Sequence, residues 1–576
     1  MRKLLLLLLP LPLAAQQTNF VNFKKYPFPT ELTAAPAGER IAWALDEEGR
    51  RNIYVAEGPD FTPRKLTDFT VDDAQEITSL SISADGQWVV FVRGGDHGAN
   101  WEGGLPVDPT SDIQPPKMQV VSTPWAGGQV KYLSEGDAPV ISPDSKQVAF
   151  TKNGQAWVAP TDGSAAATNL FTTRGTVSGL QWSPDGKRLL FVTARTDHAI
   201  IGIYTGGNSS LKWIGAAFAW DGSPQWSGDG SRICYVRRAG VGGAPDSLLV
   251  NRPVPWSIYT ADTASGQAAL LWKSPATLRG SYPTTDGGTN LHWAAGNTIV
   301  FLSYQDGWPH LYSIDAGGTG KAVLLTPGDF MCEHIQLSAD RRYLVCSANT
   351  GPDQYDIERR HVLMVGVGGG DTRVMTPGNG LEWMPVMTAK TIAFFSATPQ
   401  RPPLPAVMKV DGKDFTVLCR DRIPADFPLN KFIEPKQVIF KSSDGVIIHA
   451  DLFLPPGGAA RKPAIVYLHG GPPREMLLGW HYSAYYSNAY ASNQYLASLG
   501  FVVLAVNYRL GIGYGYEFNH PPHAGAAGAS EYLDVRAAGM WLRKQPFVDT
   551  AKIGIYGGSY GGFLTALALG KDSKLF

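Results

Sequence analysis

The chain has 576 residues, which corresponds to roughly three or four domains unless it contains a large all-β unit. Basic and acidic residues number 50 each, and this zero net charge argues against a nucleic-acid-binding or polybasic membrane-surface protein. Hydrophobic residues make up 44% of the chain, which argues against disorder. The 64 glycines, 42 prolines and 16 tryptophans favour many short strands joined by turns over a helical bundle.

The first residues have the pattern of an export signal. A positive start at Arg2 and Lys3 precedes an apolar stretch over residues 4–13, and two alanines then suit cleavage before Gln16. An apolar stretch this short cannot span a bilayer of about 30 Å as a helix. The pattern predicts a signal peptide over residues 1–15 and an exported chain, periplasmic or extracellular, with no membrane segment after cleavage. An uncleaved anchor is the alternative.

The four cysteines leave two alternatives open. Cys332 and Cys346 are 14 residues apart and could form a disulfide across neighbouring strands, whereas buried free thiols are an equally good interpretation. The chain has no CxxC motif and no Cys/His pair at the spacing of a zinc site. The sequence therefore predicts no metal site and no cofactor.

One short pattern recurs through the first two-thirds of the chain. Its clearest copy is Leu180–Phe191, in which a Ser-Pro-Asp-Gly turn precedes an apolar strand. Asp-Gly favours a tight turn because glycine accepts a positive φ. Eight copies are found, and they end at Trp43, Phe91, Phe150, Phe191, Tyr235, Phe301, Cys346 and Phe394.

Repeats of this length indicate stacked sheets that share their cores. Units of about 40–50 residues with four strands each are typical of a β-propeller. Eight blades are the first interpretation, and seven blades with an irregular closure are the alternative. We assign residues 16–424 to this domain.

Two intervals between copies are longer than the rest and contain Arg93–Met118 and Arg238–Trp256. A long segment without periodicity in a compact domain is either functional or a solvated insertion, and both interpretations stay open. We expect the Arg93–Met118 loop to reach the cavity between the propeller and the following domain, where it would shape access.

After Pro424 the repeat stops and strands alternate with helices, which is the pattern of a parallel α/β sheet. We assign residues 425–576 to this domain. The predicted strands are Gln437–Lys441, Val446–Leu454, Ala464–Leu468, Phe501–Val506 and Ile553–Tyr556. A helix is predicted over Ser530–Gln545, with Ser530 as its N-cap. Its expected apolar face consists of Leu533, Ala537, Met540 and Trp541.

A glycine-rich segment over residues 557–562 joins the last predicted strand to a helical stretch. Its Gly-x-Ser-x-Gly core, centred on Ser559, has the strand–turn–helix context of a nucleophile elbow. The N–H of Tyr560 is placed to donate to an oxyanion, and a second donor is expected in the His-Gly-Gly-Pro loop over residues 469–472. A glycine-rich turn without chemistry is the alternative.

Three segments resemble the prolyl oligopeptidase family of serine peptidases: Leu468–Pro472, Asn507–Arg509 with Gly513–Gly515, and Gly557–Phe563. They are more similar to the acylaminoacyl-peptidase and dipeptidyl-peptidase branches than to the prolyl endopeptidase branch. Asp306–Trp308 is similar to the dipeptidyl-peptidase propeller. The resemblance implies a β-propeller of seven or eight blades followed by an α/β-hydrolase domain, here incomplete.

The resemblance also implies roles for individual residues. Ser559 would be the nucleophile, and the backbone N–H groups of Tyr560 and Gly471 would form the oxyanion hole. The dipeptidyl-peptidase branch has a tyrosine in the first oxyanion loop, where this chain has His469, so that role is not transferred. That branch binds the substrate amino terminus with paired glutamates. The adjacent pair Glu47–Glu48 is interpreted instead as a solvated hairpin turn.

The largest departure from the family concerns the catalytic triad. In α/β-hydrolases the order along the chain is Ser, then Asp or Glu, then His. Only 17 residues follow Ser559, and they include Asp572 but no histidine. His520 and His523 lie in a proline-rich loop without the expected topology. We expect a truncated sequence whose triad Asp and His lie beyond Phe576, and an inactive relative with altered catalytic residues is the alternative.

The sequence therefore predicts a serine peptidase of short peptides in its complete form, with the 576-residue chain itself inactive. A serine esterase on the same fold is one alternative, and an exported propeller that binds a partner without catalysis is another. The expected partner is a peptide substrate, not a nucleic acid. The choice between exo- and endopeptidase activity and the oligomeric state stay open.

Overall fold

The computed structural model describes residues 19–98, 113–207, 210–241, 251–318, 320–457 and 460–576. The expected signal peptide over residues 1–15 lies outside these residues. So do residues 99–112 of the Arg93–Met118 loop and residues 242–250 of the Arg238–Trp256 segment. In the ranges that are described, no helix has both the length and the apolar character needed to cross a membrane.

Eight four-stranded antiparallel sheets follow one another along the chain, each built from four consecutive strands. The fourth and fifth are joined by a single parallel pairing between Ala199 and Trp220. The first four sheets contain β1 Phe28–Ala34, β2 Arg40–Glu47, β3 Arg50–Glu57, β4 Arg64–Lys65, β5 Ile77–Ile82, β6 Trp88–Arg93, β7 Gln119–Pro124, β8 Lys131–Glu135, β9 Asp137–Ile141, β10 Gln147–Lys152, β11 Gln155–Pro160, β12 Thr168–Phe171, β13 Thr176–Trp182, β14 Leu189–Ala194, β15 Ala199–Tyr204 and β16 Lys212–Ile214.

The next four sheets have the same arrangement. They contain β17 Ala219–Trp226, β18 Arg232–Ala239, β19 Trp256–Asp262, β20 Ala268–Lys273, β21 His292–Trp293, β22 Thr298–Ser303, β23 His310–Asp315, β24 Val323–Leu324, β25 Cys332–Leu337, β26 Tyr343–Ala348, β27 His361–Gly366, β28 Thr372–Val374, β29 Leu381–Met387, β30 Thr391–Ala397, β31 Leu404–Lys409 and β32 Thr416–Val417.

The recurring turn of the sequence connects the first and second strands of a sheet. In the second sheet the hydroxyl of Ser83 donates a 2.6 Å hydrogen bond to Asp85, while the N–H of Trp88 donates to that hydroxyl at 2.9 Å. Such side-chain bonds to nearby polar groups stabilise a turn. The same serine–aspartate bond occurs at Ser142–Asp144, Ser183–Asp185, Ser227–Asp229 and Ser338–Asp340.

Consecutive sheets share their hydrophobic cores. Seven clusters of buried side chains each link one sheet to the next along the chain. Successive residues of one strand enter different clusters, as with Cys234 and Tyr235 of β18, because successive side chains of a strand point to opposite faces. A further cluster contains Trp43 of the first sheet and Trp383 of the eighth.

The last part of the described chain forms a five-stranded sheet in the order β33-β34-β36-β35-β37. Strand β35 is parallel to both of its neighbours, whereas β34 is antiparallel to β33 and β36. The strands are β33 Lys436–Lys441, β34 Ile447–Phe453, β35 Lys462–Leu468, β36 Val502–Asn507 and β37 Val548–Gly557. The helices are α1 Phe20–Lys24, α2 Ala484–Ser498, α3 Tyr516–Asn519, α4 Tyr532–Arg543 and α5 Tyr560–Lys571, with short 3-10 turns at Gln354–Glu358, Arg420–Arg422, Leu429–Lys431 and Gly525–Ala527.

The prediction for helix α4 was wrong in two details. The helix begins at Tyr532, and the Ser530 hydroxyl donates to the carbonyl of Pro522 instead of capping the helix. The buried face contains Val535, Ala538 and Leu542, while Met540 of the predicted face is 43% exposed. The sheet covers the i, i+3, i+7 row that starts at Val535, and the two candidate apolar rows cannot be told apart from the helical period alone.

Helix α1 packs against α2, which belongs to the last part of the chain. The ammonium group of Lys24 donates a 2.9 Å hydrogen bond to the Ser492 hydroxyl, and the Tyr26 hydroxyl donates to Asn488 at 2.8 Å. The N-terminal segment is thereby attached to the α/β part. The boundary between residues 16–424 and 425–576 stays a prediction.

All four cysteines are buried free thiols. Cys332 and Cys346 lie on neighbouring strands, and the hydrogen bond that the Cys346 thiol donates to Cys332, followed by burial, raises the pKa of that thiol. The structure therefore agrees with the interpretation of the cysteines as buried free thiols.

Candidate active site

Ser559 stands in the sharp turn between β37, which ends at Gly557, and α5, which begins at Tyr560. Its φ of 52° and ψ of −121° are unusual for a residue with a side chain, and the residue is exposed. A strained, exposed serine between a strand and a helix is the geometry of a nucleophile elbow. The structure thus provides the local context that the sequence predicts around Ser559.

The glycines around Ser559 are required by close backbone approach. A Cβ atom at Gly557 would lie 2.5 Å from the carbonyl oxygen of Leu468, and one at Gly561 would lie 2.1 Å from the same oxygen. Contacts this short do not occur between a real Cβ and a backbone oxygen. Only glycine allows α5 and the end of β37 to pack this closely against the end of β35.

The loop over residues 469–472 lies directly beside the elbow. Leu468 pairs with Gly557 in the parallel register of β35 and β37, so both chains leave the sheet at the same edge. A Cβ at Gly470 would lie 3.2 Å from the Cβ of Ser559 and 3.1 Å from the carbonyl oxygen of Gly558. The sheet therefore brings together two segments that are about 90 residues apart in sequence.

The two predicted oxyanion donors differ in their setting. Tyr560 is the first residue of α5, and first-turn N–H groups have no partner inside a helix. They also lie at the positive end of the helix dipole. Gly471 has a φ of 114°, which only glycine adopts readily, so the loop turns sharply before Pro472. Their roles as donors stay predictions.

His469 is part of the loop's framework. It is fully buried and stacked on Tyr508, with the ring centroids 4.2 Å apart. Its Nδ1 donates to the carbonyl of Gly470 at 2.8 Å, and its own carbonyl accepts from the Tyr508 hydroxyl at 2.7 Å. Burial lowers the pKa of His469 to about 4, so the ring is neutral at neutral pH.

The other candidate residues form no hydrogen bond with Ser559 in the described ranges. His520 is stacked on Tyr516, His523 is exposed, and Asp572 follows the C-terminal end of α5, about 20 Å along the helix from Ser559. All eleven histidines lie in the described ranges, and none of their ring nitrogens is hydrogen-bonded to Ser559 there. Nowhere in the described part of the chain do three or more metal-ligating side chains cluster.

Two tyrosines that the sequence did not single out stand beside the elbow. Tyr485 and Tyr486 open helix α2. The Tyr485 hydroxyl lies 2.0 Å from the Cβ position of Gly558, and the Tyr486 hydroxyl lies 3.3 Å from the Cβ position of Gly470. Nothing in the local sequence connects them to a segment more than 70 residues later.

A cavity of about 650 Å³ extends from the sheets to Ala484, the residue before these tyrosines. The basic groups that face the cavity are Arg51 and His97. Four carboxylates also face it, and they belong to Glu31, Asp46, Glu76 and Asp286. His97 and Gly98 come from the Arg93–Met118 loop, so the described start of that loop reaches this cavity. Glu47–Glu48 lies at the β2–β3 hairpin, where Glu47 accepts a hydrogen bond from Tyr54.

Comparison with known proteins shows which family and which individual proteins this chain is similar to. Residues 487–576 match the model of the prolyl oligopeptidase family. The chain is 30% identical over 291 residues to a probable dipeptidyl peptidase 4 of Arthroderma benhamiae, covering 48% of this chain and 36% of that protein. It is 34% identical over 162 residues to acylamino-acid-releasing enzyme 1 of Oryza sativa, covering 27% of this chain and 20% of that enzyme.

A solved structure extends the likeness to nearly the whole fold. Dipeptidyl peptidase 4 of Porphyromonas gingivalis superimposes with a TM-score of 0.69 at 17% identity, covering 96% of this chain and 82% of that one. The matched segments span little more than a third, or less, of the two curated relatives' lengths. The resemblance to the prolyl oligopeptidase family is confirmed, and the likeness to its dipeptidyl-peptidase and acylaminoacyl-peptidase members with it.

Proposed function

We propose that this chain carries the nucleophile of a serine peptidase of the prolyl oligopeptidase family that hydrolyses short peptides. The observation that carries the proposal is the strained, exposed Ser559, with the Gly470 backbone packed against it. Such a serine, presented at a helix N-terminus beside a second glycine-rich loop, suits acyl transfer. The similarity to named peptidases supports peptides as the substrate class.

In this mechanism the Oγ of Ser559 attacks the peptide carbonyl and forms a tetrahedral intermediate. The N–H groups of Tyr560 and Gly471 donate hydrogen bonds to the oxygen that becomes negative. A histidine takes the serine proton and passes it to the leaving amine, and an aspartate orients that histidine. We propose that both lie beyond residue 576. In the described ranges, which contain all eleven histidines, none of their ring nitrogens is hydrogen-bonded to Ser559, which agrees with this placement.

We propose further that the eight sheets form an eight-bladed β-propeller over residues 16–424 beside an α/β-hydrolase domain over residues 425–576. The seven clusters between consecutive sheets support this arrangement. The cluster that joins Trp43 to Trp383 supports a closed ring, because it links the first sheet to the eighth. Such a ring would limit access to short, unfolded peptides. The leader-like residues 1–15 support an exported protein.

The acidic cavity supports a preference for peptides with a free amino terminus. Four carboxylates outnumber its two basic groups, so a positively charged end of a substrate would be favoured there. The cavity ends at Ala484, next to the tyrosines that touch the elbow loops. We propose that the amino end of the peptide enters it while the scissile carbonyl lies at Ser559.

Fluorophosphonate labelling of the full-length protein tests the assignment of the nucleophile. We expect wild type to be labelled and to cleave dipeptidyl p-nitroanilides, and Ser559→Ala to lose both activities. Ser573→Ala, at an exposed serine just after α5, is the control and should behave as wild type. Unchanged labelling in Ser559→Ala would refute the proposal, and hydrolysis of esters without peptides would favour the esterase alternative.

The same assay applied to the 576-residue chain tests the position of the base. Without a general base, Ser559 remains a neutral alcohol, and a rate factor of about 10²–10⁴ is lost. We expect residual activity at most. Turnover at the full-length rate would show that a histidine within residues 1–576, such as His520 or His523, completes the site.

A further inference from the structure

A buried cluster of charges connects the seventh sheet to the loop beside Ser559. Arg360, fully buried, donates from Nε to Glu333 of β25 at 2.6 Å. Its Nη2 donates to Glu475 at 2.7 Å, and its Nη1 donates to the carbonyl of Arg359 at 2.9 Å. Glu475 follows the His-Gly-Gly-Pro loop by three residues. One guanidinium therefore bridges a strand of the sheets to the segment that follows the His-Gly-Gly-Pro loop.

The carboxylate of Glu475 is held in a closed site. It is fully buried, and a Cβ at Gly513 would lie only 2.1 Å from its Oε2. Burial raises the pKa of Glu475, while the contact with Arg360 opposes that rise and favours the charged carboxylate. Water does not reach this place, so the negative charge of Glu475 is compensated by the guanidinium of Arg360.

Further contacts fix the chain after Glu475 to the same neighbours. The N–H of Leu478 donates to the carbonyl of Glu358 at 3.0 Å. The side-chain amide of Asn507 binds Met476 at both backbone groups, at 2.7 and 3.0 Å. Residues 358–360 therefore hold this chain at Glu475 and Leu478, while the α/β sheet holds it between them at Met476.

The two ends of this segment differ in what restrains them. Toward the elbow, Gly470 and Gly471 have no side chains of their own to anchor them, and Gly471 has a positive φ. On one side they follow the buried His469, and on the other they lead to Arg474, whose carbonyl accepts from Ile512 at 3.2 Å, and to the Glu475 anchor. A shift of Glu475 would be passed along four residues to the N–H of Gly471.

We propose that Arg360 is a positioning residue for catalysis: through Glu475 it holds the Gly470–Gly471 loop at the distance where the Gly471 N–H meets the oxyanion. The sheets would thereby complete the oxyanion hole as well as enclosing the substrate. The proposal rests on the proposed function, since it presupposes attack by Ser559. A misplaced donor weakens binding of the transition state more than binding of the substrate, so kcat falls and KM changes little.

The test compares Glu475→Gln and Arg360→Lys with wild type in the full-length protein, with kcat and KM measured on a dipeptidyl p-nitroanilide. We expect kcat to fall about 10–100-fold and KM to stay within about threefold, because a displacement of about 1 Å costs up to about 10²-fold. Asp221→Asn is the matched control. It breaks the pair between the buried Asp221 and the partly exposed Arg237 in the fifth sheet, far along the chain from the loop, and should keep kcat.

Thermal unfolding separates positioning from general destabilisation. We expect Glu475→Gln and Asp221→Asn to lower the melting temperature to a similar extent, with only Glu475→Gln lowering kcat. If Arg360→Lys does not fold, Glu475→Gln carries the test, because it keeps the size of the side chain. A double variant, Arg360→Lys with Glu475→Gln, should lose no more kcat than the worse single variant, because both changes act through one contact.

Three results would overturn the proposal: unchanged kcat in Glu475→Gln, a kcat loss in Asp221→Asn as large as that in Glu475→Gln, or a rise confined to KM. The last of these would place Arg360 in substrate binding. Failure of the proposed function is recognised separately. In that case Ser559→Ala keeps its activity, whatever the Arg360 variants do.

Discussion

The hydroxyl of Tyr560 donates a 2.5 Å hydrogen bond to Oε1 of Glu531, a residue with no exposed surface. The second oxygen of Glu531 accepts from the N–H of Gly525 at 3.1 Å. The tyrosine that follows Ser559 is thus anchored by its side chain to the residue that precedes α4. Its hydroxyl already has a partner, and its backbone N–H is the group that we propose to bind the substrate oxygen.

We expect Tyr560→Phe to lower the free energy of unfolding by about 1–3 kcal/mol, because it leaves the Glu531 carboxylate buried without that partner. The rate of fluorophosphonate labelling at Ser559 should stay within about tenfold of wild type, since the backbone N–H remains. Urea denaturation and labelling kinetics measure the two effects. Normal stability combined with a large loss of labelling would mean that the hydroxyl acts on the substrate.

The close approach at Gly561 predicts a strong effect of one methyl group. Gly561→Ala would place Cβ 2.1 Å from the Leu468 carbonyl oxygen, so α5 must move away from β35. We expect a loss of about 1–3 kcal/mol or more in the free energy of unfolding, with loss of labelling at Ser559.

Gly570→Ala on the same helix is the matched control. Its Cβ would meet nothing within 4 Å, and the position is exposed. Alanine should therefore stabilise the protein by about 0.5–1 kcal/mol through its helix propensity. Equal effects at the two positions in chemical denaturation would show that the packing of α5 on β35 is not as tight as described.

His361 predicts a dependence of stability on pH. Burial lowers its pKa, but hydrogen bonds with Asp356 and Glu382 prevail and raise it to about 9. The protonated ring is therefore favoured in the folded chain. Its contribution is fully present below the unfolded pKa of about 6.5 and is lost as pH rises through about 9.

We expect the free energy of unfolding to fall by up to about 3 kcal/mol between pH 6.5 and 9.5 because of this group. His361→Gln should be less stable at pH 6 and should show a flatter profile over the same range. Chemical denaturation at a series of pH values gives the free energy of unfolding against pH for both proteins. In the difference between the two curves, the contributions of other titrating groups such as Glu475 cancel. Parallel curves would show that His361 does not bind its proton more tightly in the folded state.

The acidic cavity predicts discrimination between free and blocked amino termini. Full-length protein should cleave a dipeptidyl p-nitroanilide with a kcat/KM about 10-fold or more above that of its N-acetyl derivative, since each lost charge contact costs about 1.4 kcal/mol or more. Glu31→Gln and Asp286→Asn should narrow this ratio while leaving the acetylated substrate unaffected. Preference for the acetylated substrate would argue instead for an acylaminoacyl-peptidase specificity.

The features that sequence analysis predicted correctly are local ones. The Ser-x-Asp turns recur because a serine hydroxyl reaches an aspartate two residues away in five of the eight copies. The elbow can be predicted from the sequence because one turn between a strand and a helix requires Gly557, Ser559 and Gly561 at this spacing. In both cases a few consecutive residues contain all the groups that determine the conformation.

The features that were missed depend on pairs that are distant in sequence. Arg360 and Glu475 are 115 residues apart, and nothing near either one indicates the other. Tyr485 and Tyr486 look like ordinary aromatic residues of a helix until the sheet brings Gly558 and Gly470 against them. The buried side of α4 was wrong for the same reason, since the neighbouring sheet decides which of two apolar rows is covered.

Helix α1 has a consequence for the order in which this chain can fold during synthesis. Its Lys24 is bonded to Ser492, a residue 468 positions later. At about 5–20 residues per second, a ribosome needs roughly 20–90 s to add that length of chain. The last strand of the eight sheets ends at Val417, so the sheets can be complete before Phe23 meets its aromatic partners Phe432 and Tyr495. The apolar side chains of α1 therefore stay exposed through most of synthesis, and such exposure favours aggregation.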